Sequence, residues 1–139
     1  MNYFAYGSNM DVDQMAVRCP DAVVVGLASL PGHGFLINSH GVATVVPSDG
    51  TAVHGVLWEI SKPDEARLDH YEGVASGFYR KTNMRVQQES GKVTAALIYL
   101  AIDEQPGTPR PVYLERVVAA AHQHRILPSY VLSLTDSSA

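Results

Sequence analysis

Apolar residues in this chain come in short runs, and most runs end at glycine, proline, asparagine or aspartate. Asn2 to Tyr6 predicts a short buried strand. Asp11 to Arg18 predicts a short helix, capped by Asn9 or Asp11 and stopped near Pro20. A valine-rich run from Ala22 to Leu30 predicts a strand ending at Pro31-Gly32. Two strand-like runs flank a turn at Asn38 to Gly41, and Thr51 to Ile60 predicts another strand. The clearest helix lies in SKPDEARLDHYEG. There Ser61 is the N-cap, Pro63 sits in the first turn, Asp64 follows the cap by three residues, and Gly73 lies past the end. Two long strands, in GFYRKTNMRVQQES and GKVTAALIYLA, are joined by a turn at Glu89 to Gly91. Asp103 to Pro111 has the composition of a loop. Val112 to His124 is helical, with Val112, Val117, Ala120 and Ala121 as a partial apolar face, and a last short helix begins near Pro128.

Strands outnumber helices and short turns join many of them, which favours antiparallel pairing. The expected class is α+β: a small mixed, mainly antiparallel β-barrel flanked by helices. Regular βαβ alternation is missing, and the glycines form neither GxGxxG nor a P-loop, so nucleotide phosphate binding has no support.

Composition narrows the picture further. At 139 residues the chain suits one domain, 1–139, and 46% apolar with 17% charged residues is ordinary for a globular protein. A net charge of −4 argues against a nucleic-acid partner. No run of eighteen apolar residues predicts a membrane span, and no leader-like segment opens the chain. Cys19 is the only cysteine, so the expected setting is a reducing cytoplasm. It is read as a small packing residue, with a nucleophile as the lesser alternative. The six histidines offer no i, i+4 pair on a helix, so no metal site is expected. Trp58 and the valine-rich strands read as core.

One stretch does not fit a plain strand. In YFAYGSNM (Tyr3 to Met10) an apolar run meets Gly7, Ser8 and Asn9, residues poorly suited to continue it. Gly7 has access to a positive φ and to close backbone approach by a ligand. Ser8 and Asn9 offer side-chain hydrogen bonds or a helix cap, and a helix start gathers unpaired N–H donors suited to a carboxylate or an oxyanion. An ordinary strand-to-helix turn is the competing reading.

YFAYGSNM resembles the Tyr-Gly-Ser-Asn signature of the γ-glutamyl cyclotransferase family. LDHYEGVASGFYRK (Leu68 to Lys81) is similar to that family's Leu-Asp-x-x-Glu-Gly segment followed by Gly-x-Tyr. A weaker likeness joins Tyr113, after a proline-rich loop, to LPSY (Leu127 to Tyr130), and GVATVVPSDGTAVHGVLWEI looks like the family's core strands. The likeness spans nearly the whole chain in order. Met10 stands where the family often has leucine, a volume-conserving change.

The resemblance implies a cofactor-free enzyme with no metal. In it the α-amine of a γ-glutamyl group attacks its own γ-amide carbonyl, giving 5-oxoproline and a free amine or amino acid. It places the catalytic glutamate on Glu72, the floor of the γ-glutamyl pocket on Tyr6, Gly7, Ser8 and Asn9, and further substrate contacts on Tyr79 and Tyr113. Tyr79 reads equally well as a strand tyrosine packed in the barrel. The chemistry asks for one carboxyl group that takes a proton from the ammonium and returns it to the leaving amine, which works best with a pKa near the working pH. Glu72 ends a predicted helix, where the macrodipole opposes negative charge. Leu68, Tyr71, Val74 and Phe78 are expected to desolvate it, and Asp69, read as bonding nearby backbone, to push its pKa higher still. The leaving group is open among amino acid, amine, isopeptide and carrier-bound group. The expected partner is a small γ-glutamyl molecule, and the expected state a monomer or homodimer. Two other readings share the same residues: a binding module on this fold without turnover, and a γ-glutamyl amide hydrolase.

Overall fold

The computed structural model describes residues 1–136. In chain order it contains β1 (Asn2–Ala5), a single 310 turn (Ser8–Met10), α1 (Val12–Arg18), β2 (Val23–Ile37) and β3 (Ala43–Glu59). These are followed by α2 (Lys62–Tyr71), β4 (Tyr79–Gln88), β5 (Val93–Ala101), α3 (Tyr113–Gln123) and α4 (Pro128–Asp136). Among the described residues the strands close into a barrel in the order β1-β3-β2-β4-β5. Every pairing is antiparallel except β1 with β5, which is parallel at Tyr3 and Leu97. This is the mixed, mainly antiparallel barrel with flanking helices that the pattern predicts.

Alternation along the strands sorts the core into two parts. Phe4, Leu30, Val53, Leu57, Ile98 and Leu100 belong to one buried cluster, and Tyr3, Ala5, Val56, Trp58, Leu97 and Tyr99 to a second. Neighbours along β1, β3 and β5 thus fall in different clusters, as the two faces of a strand require. The second cluster also holds Met15, Leu68, Val117, Ala121, Val131 and Leu134, so it is the layer between the barrel wall and the helices. Strands buried on both faces read as continuous apolar runs, as in TAALIYLA.

Three sequence expectations change here. The strand expected to stop at Pro31-Gly32 continues to Ile37, with a register shift between Pro31 and His33. Gly32 takes φ +73° there, and β4 pairs with β2 only at Ala28 and Ser29, so the proline sits at a bulge on an open edge. The runs on either side of Pro47 to Gly50 likewise form one strand, β3. Finally, α3 begins at Tyr113. Val112, expected within the helix on its apolar face, is half-exposed at φ +68°, a left-handed setting that β-branched residues rarely take.

The turn at Asn38 to Gly41 ties the long β2–β3 hairpin to the Asp103–Pro111 loop. Asn38 is buried; its Oδ1 accepts from the His40 and Val42 amides, and its Nδ2 donates to the Asp103 carbonyl at 3.1 Å. The loop thereby runs along one end of the barrel and delivers Tyr113 to it.

Candidate active site

Helix α2 ends in a Schellman motif. The Gly73 N–H donates to the His70 carbonyl at 3.1 Å, the Val74 N–H donates to the Asp69 carbonyl at 3.0 Å, and Gly73 takes φ +63°. Glu72 is the C-cap of that helix, its own N–H bound to the Leu68 carbonyl at 2.8 Å. The motif stops the helix at the glutamate and turns the chain back toward β4.

Opposite Glu72 lies the turn that follows β1. The cap of α1 is Asp11, which accepts from the Asp13 and Gln14 amides. Asn9, expected as an alternative cap, is instead buried and donates from Nδ2 to Glu72 Oε1 at 3.1 Å and to the Tyr3 hydroxyl at 2.9 Å. Its Oδ1 accepts from Gln14 Nε2 at 2.9 Å and Arg18 Nη1 at 3.0 Å. Ser8 Oγ also accepts from Gln14 Nε2, at 3.0 Å.

The glycine of this turn does not take the positive φ that its sequence suggests. Gly7 is at φ −118°, outside the left-handed region. What it supplies is room. A Cβ built there would stand 3.1 Å from the Tyr113 hydroxyl oxygen and 3.6 Å from the Ala43 Cβ.

A cavity of about 610 Å³ opens between these parts, and Tyr6, Gly7, Ser8, Asn9, Glu72, Tyr79 and Tyr113 all line it. The main chain of Ala43 fixes both late tyrosines, with opposite results. Tyr79 donates its hydroxyl hydrogen to the Ala43 carbonyl at 2.6 Å, which leaves its oxygen lone pairs. Tyr113 accepts from the Ala43 N–H at 3.1 Å, so its hydroxyl hydrogen is left to donate. Burial pushes the Tyr113 hydroxyl up to about 12, so it keeps that hydrogen at neutral pH. Tyr6 donates to the Tyr99 carbonyl at 2.6 Å.

Desolvation raises the Glu72 carboxyl from 4.5 to about 7, against the opposing pull of Arg18 and of the Asn9 hydrogen bond. The sequence anticipates the direction but misassigns part of the cause. Tyr71 and Phe78 line the cavity yet remain half-exposed. Asp69 contributes no shift to Glu72, and its side chain does not bond to backbone. It accepts from the Tyr99 hydroxyl at 2.7 Å and from Lys81 Nζ at 2.8 Å, so its charge is neutralised away from the cavity.

Other lining residues are not singled out by sequence reasoning: Tyr3, Gln14, Arg18, Ala43, Tyr99, Arg110 and Arg116. Gln14 and Arg18 are spaced i, i+4 on the predicted first helix, a signal that two polar side chains share a face beside Asn9. Ala43 acts through its main chain alone, which leaves no mark in a side-chain pattern. Among the described residues no group of three or more His, Cys, Asp or Glu is placed to hold a metal ion.

A carboxyl group raised toward neutral pH, a hydroxyl donor and a hydroxyl acceptor line one concave pocket of the mixed barrel, an arrangement of the kind that suits acid–base chemistry on a small molecule. Residues 52–134 match the model of the AIG2-like family, and the chain belongs to that family. The chain is 30% identical to a mouse γ-glutamylcyclotransferase over 92% of its own length and 73% of the relative's. It is 29% identical to the human protein of that name over the same shares. Among solved structures, one titled γ-glutamyl cyclotransferase superposes with a TM-score of 0.90 at 29% identity, covering 97% of this chain and 86% of that one.

Proposed function

We propose that this protein is a γ-glutamyl cyclotransferase in which Glu72 acts first as base and then as acid. The observation that carries the reading is a carboxyl group with a pKa of about 7, fixed at a helix end and facing the cavity. The substrate's α-ammonium gives a proton to the Glu72 carboxylate. The freed amine attacks the γ-carbonyl carbon and closes a five-membered ring, and the carbonyl oxygen becomes an oxyanion. The Tyr113 O–H and the amides of the Gly7–Asn9 turn are the donors for that oxygen and for the α-carboxylate. Tyr79, whose oxygen only accepts, suits the ammonium. Collapse of the intermediate breaks the C–N bond as protonated Glu72 gives its proton to the departing amine; the restored carboxylate then takes the second proton of the ring nitrogen, which leaves a neutral lactam, and passes it to the released amine, which departs as its ammonium. The products are 5-oxoproline and a free amine or amino acid.

Cyclisation is favoured over attack by water because the amine is already tethered to the carbonyl it attacks. Every proton in this sequence begins and ends on substrate or on Glu72, which supports chemistry without a cofactor. The reading takes the protein as a cytoplasmic, single-domain monomer or homodimer acting on small γ-glutamyl compounds.

Mass spectrometry of products from a panel of γ-glutamyl amino acids and γ-glutamyl amines tests it, with Glu72→Gln alongside. 5-Oxoproline that disappears in the variant is the expected result. Glutamate in its place means hydrolysis, and binding without any product means a module that lacks turnover.

A further inference from the structure

The Asn9 side chain has no hydrogen-bonding capacity left for a ligand. Both of its amide hydrogens and both lone pairs of its carbonyl oxygen are engaged within the protein, by Tyr3, Glu72, Gln14 and Arg18. It is 4% exposed, so water does not compete for these bonds. The amide is polarised from one side. Two donors, one of them cationic, pull on the oxygen, and this makes its N–H groups stronger donors toward Glu72. Arg18 is held in turn by stacking, its guanidinium carbon 4.6 Å from the centre of the Tyr71 ring.

Building on the cyclotransferase reading, we propose that Arg18 is a positioning residue. It acts through the Asn9 amide to aim Glu72 Oε1 into the cavity and to hold the carboxylate in its charged, proton-accepting form.

The surroundings of Glu72 leave this pair as its main counterweight. Tyr3 from β1, Tyr6 beyond it, Tyr79 from β4, Tyr99 from β5 and Tyr113 from α3 all interact with the carboxyl group. Each is pushed upward by burial, so each is neutral at the pH values where Glu72 titrates. Arg110 and Arg116 also line the cavity, but neither is among the groups that shift Glu72, whereas Arg18 is the larger of the two that draw it down. Asp69, three residues earlier on the same chain, is paired with Lys81.

The test is a direct titration of the Glu72 carboxyl carbon by 13C NMR in ligand-free protein, for wild type, Arg18→Met, Arg18→Lys and Asn9→Ala. It is paired with the pH profile of kcat/KM. Losing the cation or the amide donor raises the Glu72 midpoint by about one pH unit, the low end of what a neighbouring opposite charge supplies. At pH 7 a one-unit rise lowers the carboxylate fraction, and with it kcat/KM, roughly fivefold. The loss is recovered toward pH 9, and Arg18→Lys returns at least half of the shift. If the buried Asn9→Ala variant does not fold, Arg18→Met carries the test, because Arg18 is only half-buried. An unmoved midpoint in Arg18→Met overturns the proposal, and so does a raised KM with an unmoved midpoint, which would make Arg18 a substrate contact. The titration needs no turnover, so it stands or fails separately from the cyclotransferase activity.

Discussion

The two ends of helix α2 each enclose a carboxylate, and they treat it in opposite ways. At the N-terminal end Asp64 is completely buried. Its Oδ2 accepts from the Ser61 N–H at 3.3 Å, its Oδ1 accepts from Arg67 Nη1 at 2.9 Å, and its own N–H donates to Ser61 Oγ at 3.2 Å. The helix dipole and the unpaired amides of the first turn favour the negative charge there. At the C-terminal end Glu72 meets the negative end of the same dipole. It is surrounded by tyrosines, and among the described residues Asn9 is the side chain that donates to it. Burial at the first end makes a capping box that holds the helix in place. Burial at the second makes a carboxyl group whose charge is in balance near neutral pH. Burial and partners separate the carboxylate that anchors the capping box from the one that desolvation raises toward neutral pH.

The largest expected effect breaks the comparison at the Glu72 end. Glu72→Gln keeps the shape and the acceptor oxygen for Asn9 but has no transferable proton. A kcat at least about 10³-fold lower is expected, within the range assigned to general acid–base groups. Single-turnover assays that find it within a few-fold of wild type would move the base elsewhere. At the structural end Asp64→Ala removes the capping-box partner and leaves Arg67 and the Ser61 amide unpaired. It should cost about 2 kcal/mol in urea unfolding, with kcat of the folded fraction nearly unchanged. Gly73→Ala comes next. It puts a side chain on a left-handed residue, with its Cβ 3.1 Å from the Phe78 Cβ and the Ser76 Oγ. About 1 kcal/mol of stability is lost. Because the Schellman turn sets where Glu72 points, kcat falls as well; a normal kcat would show that the turn does not aim the carboxylate.

These effects also show which features the sequence makes legible. The capping box at Ser61 and Asp64, and the glycine after Glu72, are local signals that follow from backbone geometry over a few residues. The strands of the barrel are legible for the same reason, since alternation and turn chemistry are local. Closure of the barrel by the parallel contact of Tyr3 with Leu97 is not, because it joins residues 94 positions apart. The cavity follows suit. Glu72 and the Tyr6–Asn9 turn are marked by motif, whereas Ala43 enters through its main chain and Tyr99 through strand pairing. Gly7 is legible as a glycine whose small size matters, but it does not take a positive φ, and the Tyr113 hydroxyl that also uses the space arrives from 106 residues downstream. In LDHYEG the motif likeness singles out Glu72 over Asp69, but the partners that occupy Asp69, namely Lys81 and Tyr99, come from later strands and are not legible there.

The last expected effect is the most discriminating, because it has the opposite sign for stability and for activity. The folded protein holds the Glu72 proton up to about pH 7, while the unfolded chain releases it near 4.5. Between those values the native state binds more protons than the unfolded state, so this group makes stability fall as pH rises. Below about 4.5 the carboxyl is protonated in both states and contributes nothing. Above about 7 the full cost of charging it in the cavity is present. Glutamine never carries that charge. Glu72→Gln should therefore match wild type at pH 4, gain on it steadily across the window, and exceed it by about 1–2 kcal/mol at pH 8, after allowance for the solvent that reaches a half-buried group. Urea unfolding of both proteins at pH 4, 6 and 8 measures the difference. A gap that opens with rising pH identifies Glu72 as a group the fold strains to ionise, and the same window should bound the rising limb of wild-type kcat/KM. A pH-independent gap would mean that Glu72 ionises as freely in the cavity as in water, and that its enclosure by tyrosines does not tune it.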